Sequence, residues 1–403
     1  MKYLLTAAYI FAATFVSAQE ASQESNPDGY VDSNRWVMVW NDEFDYENSK
    51  LTKRWVSDDG RYKPQIASVR YRDNVVVEDG VVKLLSKRVY DNPNVDWTTG
   101  NIWTKSTFKY GYFECRYKYA EAHTINNAFW LMPAPETEIP EGGVKFEIDV
   151  NEGHYPNLLY LDLHDWTNYT IVDGKKKFPR DQRCYIYGAE PMVDISLTES
   201  IKCSKLRFSS THKTAFHIKE FMAFTSSADT YNYVMDRDVS ITASDETKSK
   251  VKNIADGNNN TSWIAPLDGD KWFEIDFGKE CEIGAIQFIN GYKSPKENHW
   301  IGMVSDYKIE AWIDNQWIVV EKWDVRDSTN FASTYHTYGL EWTRDELIYY
   351  FDGVEIRREE NTVCHNHANV YLTTAVLRYL GEIPDDVDGS QMVVDYVRIY
   401  REK

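Results

Sequence analysis

Phe146-Glu147-Ile148-Asp149-Val150-Asn151-Glu152 packs three carboxylates into one apolar, strand-like run. Side chains alternate between the two faces of a regular strand, so Glu147 and Asp149 share a face and position 151 falls with them. Glu152 falls on the opposite face unless one extra residue is inserted as a β-bulge, a device that re-aims side chains beside active sites. With one bulge, all three carboxylates line one cleft. Val144, Phe146, Ile148 and Val150 mark a buried face, where unpaired carboxylates are costly and acquire shifted pKa values. An isolated E-x-D-x-x-E reads first as the solvated acidic edge of a strand, and the apolar flanks reverse that preference in favour of the cleft. Two carboxyl groups about 5–5.5 Å apart are the equipment of a retaining glycosidase.

Outward from this run the chain is strand-like nearly throughout. Asn74-Val75-Val76-Val77, Val81-Val82-Lys83-Leu84-Leu85, Tyr112 to Tyr117 and Leu347 to Phe351 alternate with Asp, Asn, Gly and Pro turns. Asp352-Gly353 is a hairpin turn signal. Helical periodicity is scarce, and the expected fold class is all-β, a sandwich.

The 403 residues suit one large β domain plus a smaller one. Aromatic residues are 15% of the chain, and aromatic faces both stack on sugars and fill sandwich cores. A net charge of −18 argues against a nucleic-acid partner. Lys2, the apolar stretch 3–16 and Val16-Ser17-Ala18 read as a signal peptide over 1–18, implying a secreted or periplasmic protein without a membrane span. Residues 19–34 read as a loose polar segment. Cys115, Cys184, Cys203, Cys281 and Cys364 make an odd count, leaving at least one free thiol. Cys184 and Cys203 are the first candidates for a bridge; the alternative is five buried thiols.

Six blocks carry a family resemblance: Trp40-Asn41-Asp42-Glu43-Phe44, Tyr110 to Lys118, Ala128-Phe129-Trp130-Leu131-Met132-Pro133, Tyr335 to Trp342, Tyr350-Phe351-Asp352-Gly353 and Val394 to Tyr400. With the carboxylate run in its place among them, the chain resembles family 16 glycoside hydrolases from about residue 36 to 401. The resemblance implies a concanavalin A-like β-jelly roll and a cleft holding an extended polysaccharide. Carried over by position, Glu147 is the nucleophile, Glu152 the acid/base and Asp149 the carboxylate between them, whose proximity keeps Glu152 protonated. No cofactor is implied, and a monomer is expected.

The family spacing breaks between about 230 and 330. Ile241 to Ser244, Ile254 to Asn258, Thr261-Ser262-Trp263, Trp272 to Gly278, Ile283 to Ile286 and Tyr307 to Trp312 resemble a discoidin-like (F5/8 type C) sandwich, the fold of family 32 carbohydrate-binding modules. The expected layout is therefore a catalytic domain over 35–229 and 329–403, with an inserted module at 230–328. Trp263, Trp272 and Tyr307 are expected in the insert's core. Asp256 and Asn258 resemble a loop able to hold a structural Ca²⁺.

Trp130 and Trp103 are candidate sugar-stacking platforms, and His164 a candidate hydrogen-bonding partner of the sugar or of Glu152. His154 is a weaker candidate of the same kind, and His336 reads as structural. Phe146 and Asn151 depart from the Gly and Met or Leu usual at those positions in laminarin- and lichenan-active members. Lys175-Lys176-Lys177-Phe178-Pro179-Arg180 and Arg183 offer either sulfate-binding charge or a solvated basic turn. The first choice of substrate is therefore an algal galactan such as agar, porphyran or carrageenan; the alternatives are a β-1,3/1,4-glucan or another algal polysaccharide. A non-catalytic lectin is the competing class, and a polysaccharide lyase a third without a motif behind it.

Overall fold

The computed structural model describes residues 24–60, 66–90, 95–294 and 300–403, so the signal-peptide reading of 1–18 lies outside the described residues. Within them the chain is built of sheets, antiparallel except where Ser68–Arg70 runs parallel to Trp97–Thr99, with a few short 3-10 turns.

Two sheets form the first sandwich. The seven strands of the concave sheet, numbered here in chain order, are β1 (Trp55–Ser57), β2 (Asn101–Thr104), β3 (Ile125–Met132), β4 (Phe146–His154), β5 (Leu158–Asp165), β6 (Arg180–Ile186) and β7 (Asn369–Val376). Their order across the sheet is β6-β5-β4-β3-β7-β2-β1. The eight-stranded outer sheet has Gly111–Lys118 at its centre, between His336–Trp342 and the closing strand Gln391–Glu402. Phe113, Phe129, Phe146, Tyr338 and Trp342 fill the space between the sheets. Asp352 and Gly353 both take positive φ (46° and 78°), the turn that matches strand twist in a hairpin.

The second unit is one seven-stranded sheet running from Met192–Ser210 to Gln316–Asp324, with its own core around Phe208, Phe221, Phe273, Phe288 and Trp263. Its long strands break register at Ser196/Ile201 and Cys203/Lys205, which bends the sheet around that core. Entry and exit lie side by side: a Cβ on Gly188 would sit 2.4 Å from Thr329 Oγ1 and 2.9 Å from Val325 Cγ2. Adjacent termini are what insertion into a loop requires. The sequence placed the start of this unit at residue 230. The structure places it near Gly188, because Met192–Ser210 and His217–Phe224 pair with Lys271–Asn290 and with no strand of the first sandwich.

Two further expectations are corrected. The described part of the loose segment 19–34 is anchored to the outer sheet. Ser25 is buried, Arg116 donates to Ser25 and Glu24, and the Tyr30 amide donates to Glu114 at 3.1 Å. The Cys184–Cys203 bridge is absent: all five cysteines are buried and none is in a disulfide. Cys184 lies in β6, whereas Cys203 faces Cys281 across two strands of the second sheet.

Candidate active site

The bulge foreseen in β4 is present. Trp130 of β3 pairs with Asp149 and Phe129 with Asn151, leaving Val150 as the extra residue, and β5 shifts register at the same place. Val150 and Asn151 consequently both turn inward. Val150 joins the core, and the Asn151 amide donates to the hydroxyls of Tyr117 and Tyr119 at 2.5 and 2.9 Å. Glu147, Asp149 and Glu152 are left together on the concave face. Oxygens of Glu147 and Asp149 and a nitrogen of His164 lie within 4.8 Å of one another, as do oxygens of Asp149, Glu152 and Asp162. Gly153 follows Glu152 because a Cβ there would lie 2.1 Å from the Tyr119 ring.

Cross-strand register lays out the floor in rows. One row reads Gln182–Asp162–Asp149–Trp130–Tyr371–Trp103 across β6, β5, β4, β3, β7 and β2. The next reads Cys184–Tyr160–Glu152–Ala128–Thr373–Asn101. His164 stands opposite Glu147. Paired residues share a face, so both rows line the cleft.

Each carboxyl has its own surroundings. Glu147 accepts a 2.9 Å hydrogen bond from Trp166 Nε1, and Trp166 stacks on His164 with ring centroids 4.9 Å apart. Glu152 accepts one from the Asn126 amide at 2.5 Å. Burial first, then the charges of Asp162 and Glu147, push the Glu152 carboxyl up to about 7. Asp149 is only 2% exposed, and among the described residues its Oδ2 accepts no hydrogen bond; burial, followed by Glu147, Glu152 and Asp162, drives its pKa well above its ordinary value. His164 Nε2 is 3.5 Å from Asp149 Oδ2; burial lowers the imidazole pKa and raises that of the carboxyl, so both shifts work against an ion pair there. The like charges that raise Glu152 come from Asp162 first and then Glu147, not from Asp149 as the sequence suggested; Asp162 is fully buried and held by Arg180 at 2.6 Å and Gln182 at 3.1 Å.

The sugar-platform candidates sit in the cleft floor with little open face. Trp130 and Trp103 are 7% and 6% exposed and sandwich Tyr371, at 4.2 and 5.5 Å between centroids. Their indole nitrogens donate to Thr373 and Glu136. The exposed rings beside the carboxylates are Trp166 and Tyr379, 39% and 64% exposed, which sequence reading did not select. Trp166 had a signal: it lies two residues beyond His164. Tyr379, Asp162 and Asn126 come from other strands and loops, and only the register brings them in.

Several other candidates fall elsewhere. His154 lies at the end of β4, and burial lowers its pKa to about 3. His336 is buried in the core, bonded to Asp352 and Thr334. Lys175–Lys177 form an exposed two-stranded hairpin with Thr170–Val172, and Lys176 lies over the Tyr169 ring at 4.0 Å. Arg183 lies 3.6 Å from Asp181. Trp263 and Tyr307 are buried in the second core, with Trp272 partly buried. Asp256 accepts from the Asn258 amide and Thr261 hydroxyl of its own loop, and the Asn258 amide also donates to Glu220.

Residues 240–341 match the model of the F5/8 type C domain family; the match ends within the outer-sheet strand His336–Trp342. An endo-1,3-1,4-β-glycanase of Rhizobium meliloti is 37% identical over 71 residues, 17% of this chain and 15% of that protein. β-Porphyranase D of Zobellia galactanivorans is 24% identical over 186 residues, 40% of this chain and 42% of that protein. The chain spans less than two thirds of the length of the curated relatives it matches. Among solved structures, a laminarinase catalytic domain from Thermotoga maritima superposes with a TM-score of 0.48 at 14% identity, covering 91% of this chain and 99% of that one.

Proposed function

We propose that the chain is a retaining endo-β-glycanase of the family 16 type, exported and acting on an extracellular polysaccharide. The observation that carries this reading is the bulge at Val150, which brings Glu147, Asp149 and Glu152 onto one face. Glu147, held by Trp166, is the nucleophile that attacks the anomeric carbon. Glu152, with its pKa near 7, donates its proton to the departing glycosidic oxygen and then takes one from water. Asp149 lies between them, its carboxyl pushed upward by burial and by the flanking carboxylates. The lectin reading leaves these crowded carboxylates, one buried and two half-buried, without a role. Among the described residues no helix is long and apolar enough to cross a membrane.

For the substrate we favour an uncharged β-linked glycan, a β-glucan or an agar-type galactan, over a sulfated one. Arg180 is spent on Asp162, the three lysines stand out on their hairpin, and the cleft floor carries several carboxylates. Phe146 and Asn151 face the core, so their departure from the glucanase pattern does not weigh against glucans. A structural Ca²⁺ at Asp256 and Asn258 is a separate proposal, tested by the change in melting temperature on adding calcium after chelation. The function is tested by reducing-end release from agarose, porphyran, carrageenans, laminarin, lichenan and ulvan, with Glu147→Gln as control. Oligosaccharides from one neutral glycan, lost in the variant, are expected. Release from none, with retention on an affinity gel, would replace the hydrolase by a lectin.

A further inference from the structure

Past Glu152, on the side away from the aromatic row, the cleft runs into a cavity of about 530 Å³. Its floor is the corner of the concave sheet, Tyr160, Leu158 and Cys184 beside His154. Its far wall is not part of the first sandwich: His212, Ala215 and Met303 come from the inserted unit. Tyr379 lines the cavity, and Tyr160 and Cys184 on its floor belong to the same cross-strand row as Glu152. The volume is within the range of small-ligand sites, roughly 300–1,000 Å³.

The cavity is also polar at chosen points. His154 is more than nine-tenths buried, and its Nδ1 has no hydrogen-bond partner among the described residues although it lies in the cavity wall. An orphaned buried polar atom costs about 1–3 kcal/mol unless something satisfies it. The charged groups are balanced or occupied. Arg326 is forked on Asp324, and Lys213 lines the rim together with Asp306 and Asp386. Burial holds His154 at about 3 and His123 and His212 at about 4, so all three imidazoles are neutral at ordinary pH. Aliphatic and aromatic walls with neutral hydrogen-bonding points suit a sugar ring and suit a sulfate poorly.

We propose that this cavity is a saccharide subsite built jointly by the cleft and the inserted module, taking an uncharged sugar unit of the polysaccharide beyond Glu152. The module then forms one wall of the active-site cleft itself, in addition to whatever its own loops bind. This rests on the polysaccharide reading above, but binding can be measured without turnover. The test is calorimetric titration of the full chain carrying Glu147→Gln with laminari- and neoagaro-oligosaccharides graded by length. It is repeated after adding Ala215→Trp, which fills the cavity from the module's side, and separately Met303→Ala, which removes part of the wall. Melting curves check that each variant folds. The expected result is that Ala215→Trp weakens the longest oligosaccharide about tenfold and the shortest bound one hardly at all, with a smaller loss in Met303→Ala. Equal affinity in parent and both variants at every length would overturn the subsite, as would failure of every oligosaccharide to bind. If the oligosaccharides bind and the variants weaken them, yet the parent without Glu147→Gln cleaves none, the hydrolase reading falls while the subsite stands.

Discussion

Replacing Glu152 by Gln should make the protein more stable at alkaline pH while abolishing its activity. The side chain keeps its shape, and its carbonyl oxygen can still accept from the Asn126 amide. What disappears is a buried charge facing Asp162 and Glu147. In the native state this carboxyl titrates near 7 against an ordinary 4.5. At 1.36 kcal/mol per tenfold, that difference corresponds to roughly 3 kcal/mol. The folded state holds the proton more tightly than the unfolded chain does. The stabilisation is therefore complete below about pH 4.5 and is lost as pH rises through about 7. Glu152→Gln carries no such dependence. Calorimetric melts at half-unit steps from pH 4.5 to 8.5 should show the two proteins converging at acid pH. At pH 8 the variant should melt higher by roughly 5 °C or more, taking 2–4 °C per kcal/mol for domains of 150–250 residues. Asp149 is also raised and interacts with Glu152, so the difference belongs to the pair. Parallel melting curves across this range would refute the claim that Glu152 is buried at a cost and proton-poised.

Asp162→Asn removes the like charge on Glu152 and releases Arg180, so the descending limb of the kcat/KM profile, expected near pH 7, should move to lower pH. Trp166→Phe keeps the stacking on His164 but loses the hydrogen bond to Glu147, and kcat/KM on the polysaccharide should fall by about 10–100-fold with little change in melting temperature. Gly153→Ala drives a methyl into the Tyr119 ring, so it should cost about 1–3 kcal/mol in urea unfolding and also lower activity by displacing Glu152.

Much of this architecture could be read from the order of residues, and the reason is period. In β4 the apolar residues alternate cleanly up to Val150, and the only way to keep Glu152 with its partners was one inserted residue. The structure has that residue. The hairpin at Asp352-Gly353 was legible for a similar reason, since few residues accept two successive positive φ values. The groups that tune the carboxylates were not legible. Asp162 and Asn126 lie on β5 and β3, and nothing local says which of their faces meets β4 or at what offset. The start of the inserted unit was also hidden, because Met192–Ser210 is patterned like any strand of the first sandwich and only its partners identify it. Trp130 and Trp103 show the opposite failure: the sequence placed them in the cleft but could not see Tyr371 filling the space between their faces.

The most direct test of the central claim follows the anomeric proton by NMR while the protein cleaves an oligosaccharide of its preferred glycan. The first-formed product should carry the β configuration, with the α anomer growing in only by mutarotation, because Glu147 attacks the face opposite the leaving group and water then displaces Glu147 from the face the leaving group vacated. An α anomer appearing first would mean a single inverting displacement, and the assignment of Glu147 as nucleophile would be wrong.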